Sequence, residues 1–208
     1  MPLTNLNALR AARVETDPYD YLVVPGFLDT PSLEQVNGDY PTIDSAANHT
    51  LENLTYGATF KQLMQELQGS EFASVLGKHF DMDLVSLPTT VTVRKFCERT
   101  DGNIHTDHKS KIITVLVYFN EKWDNDAGQL RLLRSKDDIE DYAVQITPSK
   151  GSLLAFRRTD HSWHGHTPFV GERRMVQLNY LDQGRFAVIA QRISRFGTHF
   201  MKNVLGMR

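Results

Sequence analysis

A chain of 208 residues with an apolar share of 40% is long enough for one domain with a sizeable core. Its formal charge of −2 gives a polyanion little to hold, so nucleic acid is not expected as a partner. The lone cysteine, Cys97, excludes an internal disulfide framework and any multi-cysteine zinc site, and fits a reducing compartment.

The opening stretch MPLTNLNALRAARVETDP lacks the apolar core of a secretory signal and reads as an ordinary first helix. YDYLVVPGFLDTPSLEQV follows as a short strand, a turn at Pro25–Gly26 and a helix. Asp29 or Thr30 serves as its N-cap, with Pro31 in the first turn. Next, TFKQLMQELQGSEFASVLGKHF carries apolar residues at Phe60, Leu63, Met64 and Leu67, then at Phe72, Val75, Leu76 and Phe80. That spacing predicts two amphipathic helices separated near Gly69.

From Pro88 the period changes to two. TTVTVRKF, KIITVLVYF, GQLRLL, YAVQITP, GSLLAF and RRMVQLNYL follow one another at short intervals with turn residues between them, which predicts an antiparallel sandwich or barrel. The longest apolar run, Ile112 to Phe119, is too short to span a bilayer, so a soluble cytoplasmic protein is expected. The tail from Arg185 returns to a helical pattern with five basic residues and no acid. It reads as a terminal amphipathic helix, with peripheral contact to an anionic membrane as the lesser reading. The expected organisation is a single domain. Residues 1–87 form an N-terminal strand and helices, 88–182 a β core, and 183–208 a closing helix. Helices cover one face of the sheet, and the other face lines a pocket.

Ahead of the KIITVLVYF strand stands DGNIHTDHKSK. Read as a strand, in which residues i and i+2 point to the same side, this stretch has His105 and Asp107 offer an imidazole nitrogen and a carboxylate oxygen to one point. A third ligand is expected from DHSWHGHTPFVGERR, which holds His161, His164 and His166. Two imidazoles and one carboxylate form the ligand set of non-haem Fe(II) oxygenases, and zinc can occupy the same set. A 2-oxo acid chelating such a metal would bury its far carboxylate, which needs a cation. Arg173 meets that need with a planar fork that stays protonated. On its strand Arg173, Met175, Gln177 and Asn179 share one face, and Arg174, Val176, Leu178 and Tyr180 the other. The apolar face suits the helices. On the neighbouring strand Thr114 and Tyr118 share a face, and the Tyr118 hydroxyl is placed to donate to the same carboxylate.

Over residues 88–182 the chain resembles the 2-oxoglutarate- and Fe(II)-dependent dioxygenases, specifically the prolyl 4-hydroxylase-like group. HTD is similar to the H-x-D part of that family's metal triad. TVLVYFNEKWDNDAGQLRLL is similar to its strand ending in Y-[LF]-N, followed by a loop and a G-x-L-R strand. GSLLAFRRTDHSWHGHTPFVGERRMVQLNY resembles its G-x-L-x-x-F, then H-x-x-x-P, then an arginine nine residues beyond that histidine. His164 fits, with Pro168 four residues and Arg173 nine residues later.

The resemblance implies a mainly β fold with flanking helices, a double-stranded β-helix (jelly roll) whose larger sheet carries the helices. It implies Fe(II) held by His105, Asp107 and His164, and 2-oxoglutarate bound by Arg173 and Tyr118. O2 would be the second cosubstrate, with ascorbate as a stimulant. The implied reaction is hydroxylation of a C–H bond coupled to conversion of 2-oxoglutarate into succinate and CO2. An aspartate at position 107 resembles hydroxylases rather than halogenases. Departures are His166, where many members have an apolar residue, and the doubled arginine, which leaves Arg174 as a rival to Arg173. Prime substrates open to this reading are a prolyl residue of a peptide or protein, an amino acid, a sugar and a small metabolite.

Plainer roles stand beside these. His161 reads as a loop residue and His108 as solvated. Arg94 or Lys95 either faces the cavity or is a surface charge. Arg131 is structural or at the pocket mouth, and Cys97 is a small strand filler. Trp123 either covers the site or caps the sheet edge. The alternative of a different class is a non-catalytic or zinc-filled jelly-roll binding protein.

Overall fold

The structure, a computed structural model, describes residues 1–184. The terminal helix expected over 183–208 therefore lies outside the described residues, apart from its first two positions. In chain order the elements are α1 (Leu6–Ala11), β1 (Tyr21–Val24), α2 (Thr30–Gly38), β2 (His49–Thr50), a 3-10 turn (Leu51–Asn53), α3 (Ala58–Leu67) and α4 (Ser70–Phe80). Then come β3 (Thr89–Cys97), β4 (Lys111–Tyr118), β5 (Leu130–Leu133), β6 (Tyr142–Ile146), β7 (Leu153–Arg157), β8 (His164–Gly165) and β9 (Gly171–Leu181).

Helix α2 starts as its sequence dictates. The Asp29 carboxylate accepts the Ser32 backbone N–H at 2.9 Å, and Pro31 sits in the first turn, where its missing N–H costs nothing. Helices α3 and α4 divide at Gly69, and all eight apolar positions read from their periodicity are buried. The sheets are wholly antiparallel. A six-stranded sheet runs β1-β7-β4-β9-β3-β2, and a three-stranded sheet runs β6-β5-β8. This is the jelly roll, with every long predicted strand present. The short strands β2 and β8, two residues each, have no period to be read from sequence.

Alternation along the large sheet divides the core in two. Val91, Val93, Ile113, Val115, Val117, Val176 and Leu178 point outward onto Phe60, Leu63, Phe72, Leu76 and Phe80 of the helices. The intervening residues Leu116, Tyr118, Leu154, Phe156 and Met175 point inward, toward Leu130, Leu132 and Ile146 of the small sheet. The helices therefore seal one face, and the space between the sheets is left for a site.

Phe60 joins the two layers of the outer core. It is fully buried, and its ring packs 5.2 Å from Tyr40, 5.3 Å from Tyr56 and 6.3 Å from Phe119. Phe60→Ala is expected to cost about 3–5 kcal/mol in urea denaturation. A loss below about 1 kcal/mol would contradict this packing.

Candidate metal centre and cosubstrate cavity

The strand expected under His105 and Asp107 is instead part of a loop, residues 98–110, that meets the segment 164–166 through His105 and Gly102. The loop's TDHKS segment has no β-branched apolar run to pack. Asp101 folds it back by accepting the Glu98 backbone N–H at 2.7 Å. At His105 the backbone N–H donates to the His164 carbonyl at 3.0 Å, and the His164 N–H donates to the His105 carbonyl at 3.0 Å. A residue pair that exchanges both bonds carries its side chains on the same side. The two imidazoles accordingly stand with ring centroids 4.4 Å apart.

Asp107 joins them. One ligand atom from each of His105, Asp107 and His164 lies within 4.8 Å of the others. His105 Nδ1 lies 2.8 Å from the Asn103 carbonyl and His164 Nδ1 lies 3.0 Å from the Ser162 carbonyl. A carbonyl only accepts, so both Nδ1 atoms donate, and Nε2 is the atom each ring has left to offer a metal. Burial pushes His164 down to about 4, despite the neighbouring Asp107, so it is neutral near pH 7. Burial works on Asp107 in the raising direction. Lys111, His164 and the hydrogen bonds from Lys111 and Thr114 outweigh it and hold the carboxyl below its usual range. Two imidazoles and a carboxylate are a donor set that fits a divalent metal.

A cavity of about 120 Å³ opens beside this cluster, between the sheets. His105, Asp107 and His164 form one side, and Arg173, Met175 and Gln177 another. Arg173 is buried. Its Nε donates to the Gly128 carbonyl at 2.8 Å and its Nη1 reaches Met175 Sδ at 3.1 Å, but its buried Nη2 has no partner. Its guanidinium lies 5.3 Å from the Tyr118 ring centroid, and the buried Tyr118 hydroxyl is likewise unpartnered. Burial pushes that hydroxyl up, so it remains a donor. A cation left unsatisfied at the cavity wall fits a ligand carboxylate. Tyr118 packs against Arg173 and is not part of the cavity wall, a deeper position than the sequence implies.

The loop β4–β5 supports this arrangement. Gly128 has φ +76°, and a Cβ there would fall 2.8 Å from Phe169 and 2.9 Å from Trp123. Those rings pack tilted with centroids 4.7 Å apart, so Trp123 braces the backbone that holds Arg173 and does not line the cavity of the metal cluster. Arg174 points to the other side of the sheet, bonded to Glu172 and Asn37 and set over Tyr40, which removes it from the cavity. His166 is buried and lines the cavity without joining the metal cluster; burial pushes it down to about 4. His108 bonds Ser110, and His161 is exposed. Arg94 lines the cavity, tied to Asp101 at 2.8 Å, whereas Lys95 lies over the Phe96 ring. Arg131 is structural, bound to Gln145 and Glu140. Burial raises the Cys97 thiol, as a filler requires.

Sequence reasoning gave no cavity role to Lys111, which pairs with Asp107, or to Asn48, whose NHT triplet reads as a chance glycosylation acceptor and which reaches the cavity from a loop. A larger groove of about 890 Å³ opens by β1 and β6 and contains none of the metal cluster.

A family model described as the 2OG-Fe(II) oxygenase superfamily matches residues 75–181, and the chain belongs to that superfamily. It is an oxidoreductase, a dioxygenase working with Fe(II), 2-oxoglutarate and O2. No curated protein matches the chain. Among solved structures it is similar to a prolyl-4-hydroxylase from Pseudomonas putida, at 14% identity and TM-score 0.54, over 86% of this chain and 90% of that one. It is also similar to a 2OG-Fe(II) oxygenase family oxidoreductase from Burkholderia pseudomallei, at 10% identity and TM-score 0.58, over 85% and 90%. A third is the viral collagen prolyl hydroxylase of Paramecium Bursaria Chlorella virus-1, at 14% identity and TM-score 0.50, over 80% and 99%. These likenesses share the fold. No helix among the described residues is long and apolar enough to cross a membrane.

The depressed histidines set a pH dependence. Between about 6.5 and about 4, the unfolded chain binds protons at His164 and His166 that the folded chain refuses. These two histidines add no pH dependence to the stability of the metal-free protein above pH 7. That stability should fall as pH drops below about 6.5, by up to about 3 kcal/mol per histidine. Urea titrations should show a shallower slope for His166→Gln; a flat wild-type profile from pH 7 to 5 would contradict this.

Proposed function

We propose that this protein is a hydroxylase acting on an unactivated C–H bond, with His105, Asp107 and His164 holding the iron and Arg173, aided by Tyr118, gripping 2-oxoglutarate. The observation that carries this reading is the unpartnered Nη2 of buried Arg173 in the same cavity as the His/Asp/His cluster. A buried guanidinium with an unmet valence is costly unless an anion completes it. The far carboxylate of a 2-oxo dicarboxylic acid is such an anion. Iron, when bound, supplies the activation of O2, so that one oxygen atom enters succinate, the other enters the substrate, and CO2 leaves.

The chain's own residues do the rest. The Nδ1–H bonds to Asn103 and Ser162 fix both imidazoles with Nε2 toward the metal position. Arg173 sets the direction of the cosubstrate through its fork, and its fastening to Gly128 prevents it from swinging away. The apolar walls from Leu116, Leu130 and Phe156 limit water around the reacting atoms. A zinc-filled or non-catalytic binding protein would give no reason to keep Arg173 and Tyr118 unsatisfied. The prime substrate is a prolyl residue, an amino acid, a sugar or a small metabolite, and the cytoplasm is the compartment that one buried cysteine suits.

Asp107→Ala and His164→Ala are expected to abolish succinate formation while far-ultraviolet circular dichroism stays native; wild-type turnover in either would remove that residue from the triad. Arg173→Ala should raise the KM for 2-oxoglutarate a hundredfold to several thousandfold, from about 3–5 kcal/mol of stranded charge. Arg173→Lys should also be damaging because the fork is lost. Arg174→Ala should change that KM only a few-fold. A mild Arg173 effect beside a severe Arg174 effect would exchange the two roles.

A further inference from the structure

The Asp107 carboxylate makes two side-chain contacts of opposite consequence for a bound cation. Its Oδ1 lies 2.6 Å from Lys111 Nζ and its Oδ2 lies 2.5 Å from Thr114 Oγ1. Both partners come from β4, one from its first residue and one from its interior. Thr114 is 1% exposed and can turn its single proton only toward an acceptor, so the hydroxyl donates to Asp107. A weaker contact with the Asn179 side chain at 3.3 Å ties the same hydroxyl to β9. The Thr114 bond fixes where the carboxylate points and adds no charge.

The Lys111 bond is different in kind. Its ammonium gives the buried Asp107 an ion-pair partner when no metal is present, which avoids an uncompensated charge in the interior. When a divalent cation takes the same carboxylate, the ammonium becomes a like charge at close range, in surroundings that screen poorly. Lys111 sits nearer the rim, with 19% of its side chain exposed against 6% for Asp107, so water can receive the displaced ammonium.

From this geometry, and resting on the reading of His105, Asp107 and His164 as the metal site, we infer that Thr114 and Lys111 tune the metal affinity of Asp107 in opposite directions. Thr114 is a positioning residue that raises the affinity. Lys111 is an internal counter-ion that lowers it while keeping the metal-free loop folded.

Mn(II) alone is the probe, with free ion followed by electron paramagnetic resonance and neither 2-oxoglutarate nor O2 required. The parent protein is expected to bind Mn(II), and Asp107→Ala is expected to lose it. Undiminished binding by Asp107→Ala would remove Asp107 from the metal site and so overturn the reading on which the inference rests. Thr114→Val should weaken binding about 10–100-fold, and Thr114→Ser, which restores the hydroxyl, should recover it. Lys111→Met should bind Mn(II) several-fold more tightly, while its metal-free form melts at a lower temperature than the parent.

With Asp107→Ala deficient, three results would overturn the inference itself. These are parent-like affinity in Thr114→Val, equal weakness in Thr114→Val and Thr114→Ser, or weaker binding in Lys111→Met. Circular dichroism of the metal-free forms identifies any variant that does not fold. The Lys111 arm, at the rim, decides by itself should Thr114→Val be one.

Discussion

The reciprocal backbone pair between His105 and His164 is the constraint on which the site depends. Two hydrogen bonds of 3.0 Å each join a polar loop to a two-residue strand from a distant part of the chain. The junction continues at His166, whose N–H donates to the Gly102 carbonyl at 2.9 Å. It is tight enough that a Cβ at Gly165 would fall 2.7 Å from the Gly102 carbonyl oxygen. Once this seam closes, both imidazoles must stand on one side, and Asp107, two residues on, needs only β4 to direct its carboxylate. Ligand geometry is thereby set by main-chain bonds, which are stiffer than side-chain packing alone. A site built on such elements holds its position better than one left on a free loop.

The large sheet supplies the second condition. Its outer face is sealed by apolar contacts to α3 and α4, so the interior face can carry groups that a core could not otherwise hold. Arg173, Tyr118 and Thr114 are all buried there, with Asp107 of the loop 98–110 buried against Thr114. Such groups are costly unless each finds a partner. Thr114 and Lys111 satisfy Asp107 within the protein, whereas Arg173 and Tyr118 keep donors in reserve. Under the proposed function the cosubstrate completes the second pair; the buried Tyr180 hydroxyl, on the helix side of the sheet, is unpartnered as well.

Much of this was legible in sequence because the relevant signals are periodic. The division of β9 into an Arg173 face and a Val176 face follows from a period of two, and burial on both sides of the sheet agrees with it. The eight helix positions from Phe60 to Phe80 follow from a period near 3.6. The family resemblance, through the spacing from His164 to Pro168 and Arg173, pointed to the histidine of three that stands in the cluster. What was illegible is set by contacts without a period. The strand expected under His105 and Asp107 is a loop pinned at His105 and Gly102, because backbone pairing across the chain has no local signature. The depth of Tyr118, and the seating of Gly128 under Trp123 and Phe169, depend on how loops close over the sheet.

The central claim is that one cavity takes a ferrous ion on the His/Asp/His cluster and, beside it, a 2-oxo dicarboxylate whose far end meets Arg173. Visible absorption under strict anaerobiosis, during addition of Fe(II) and then 2-oxoglutarate, tests it most directly. The account predicts a weak charge-transfer band that appears only when both are present and saturates at one equivalent. A spectrum that stays blank while both compounds are shown to be bound would contradict it.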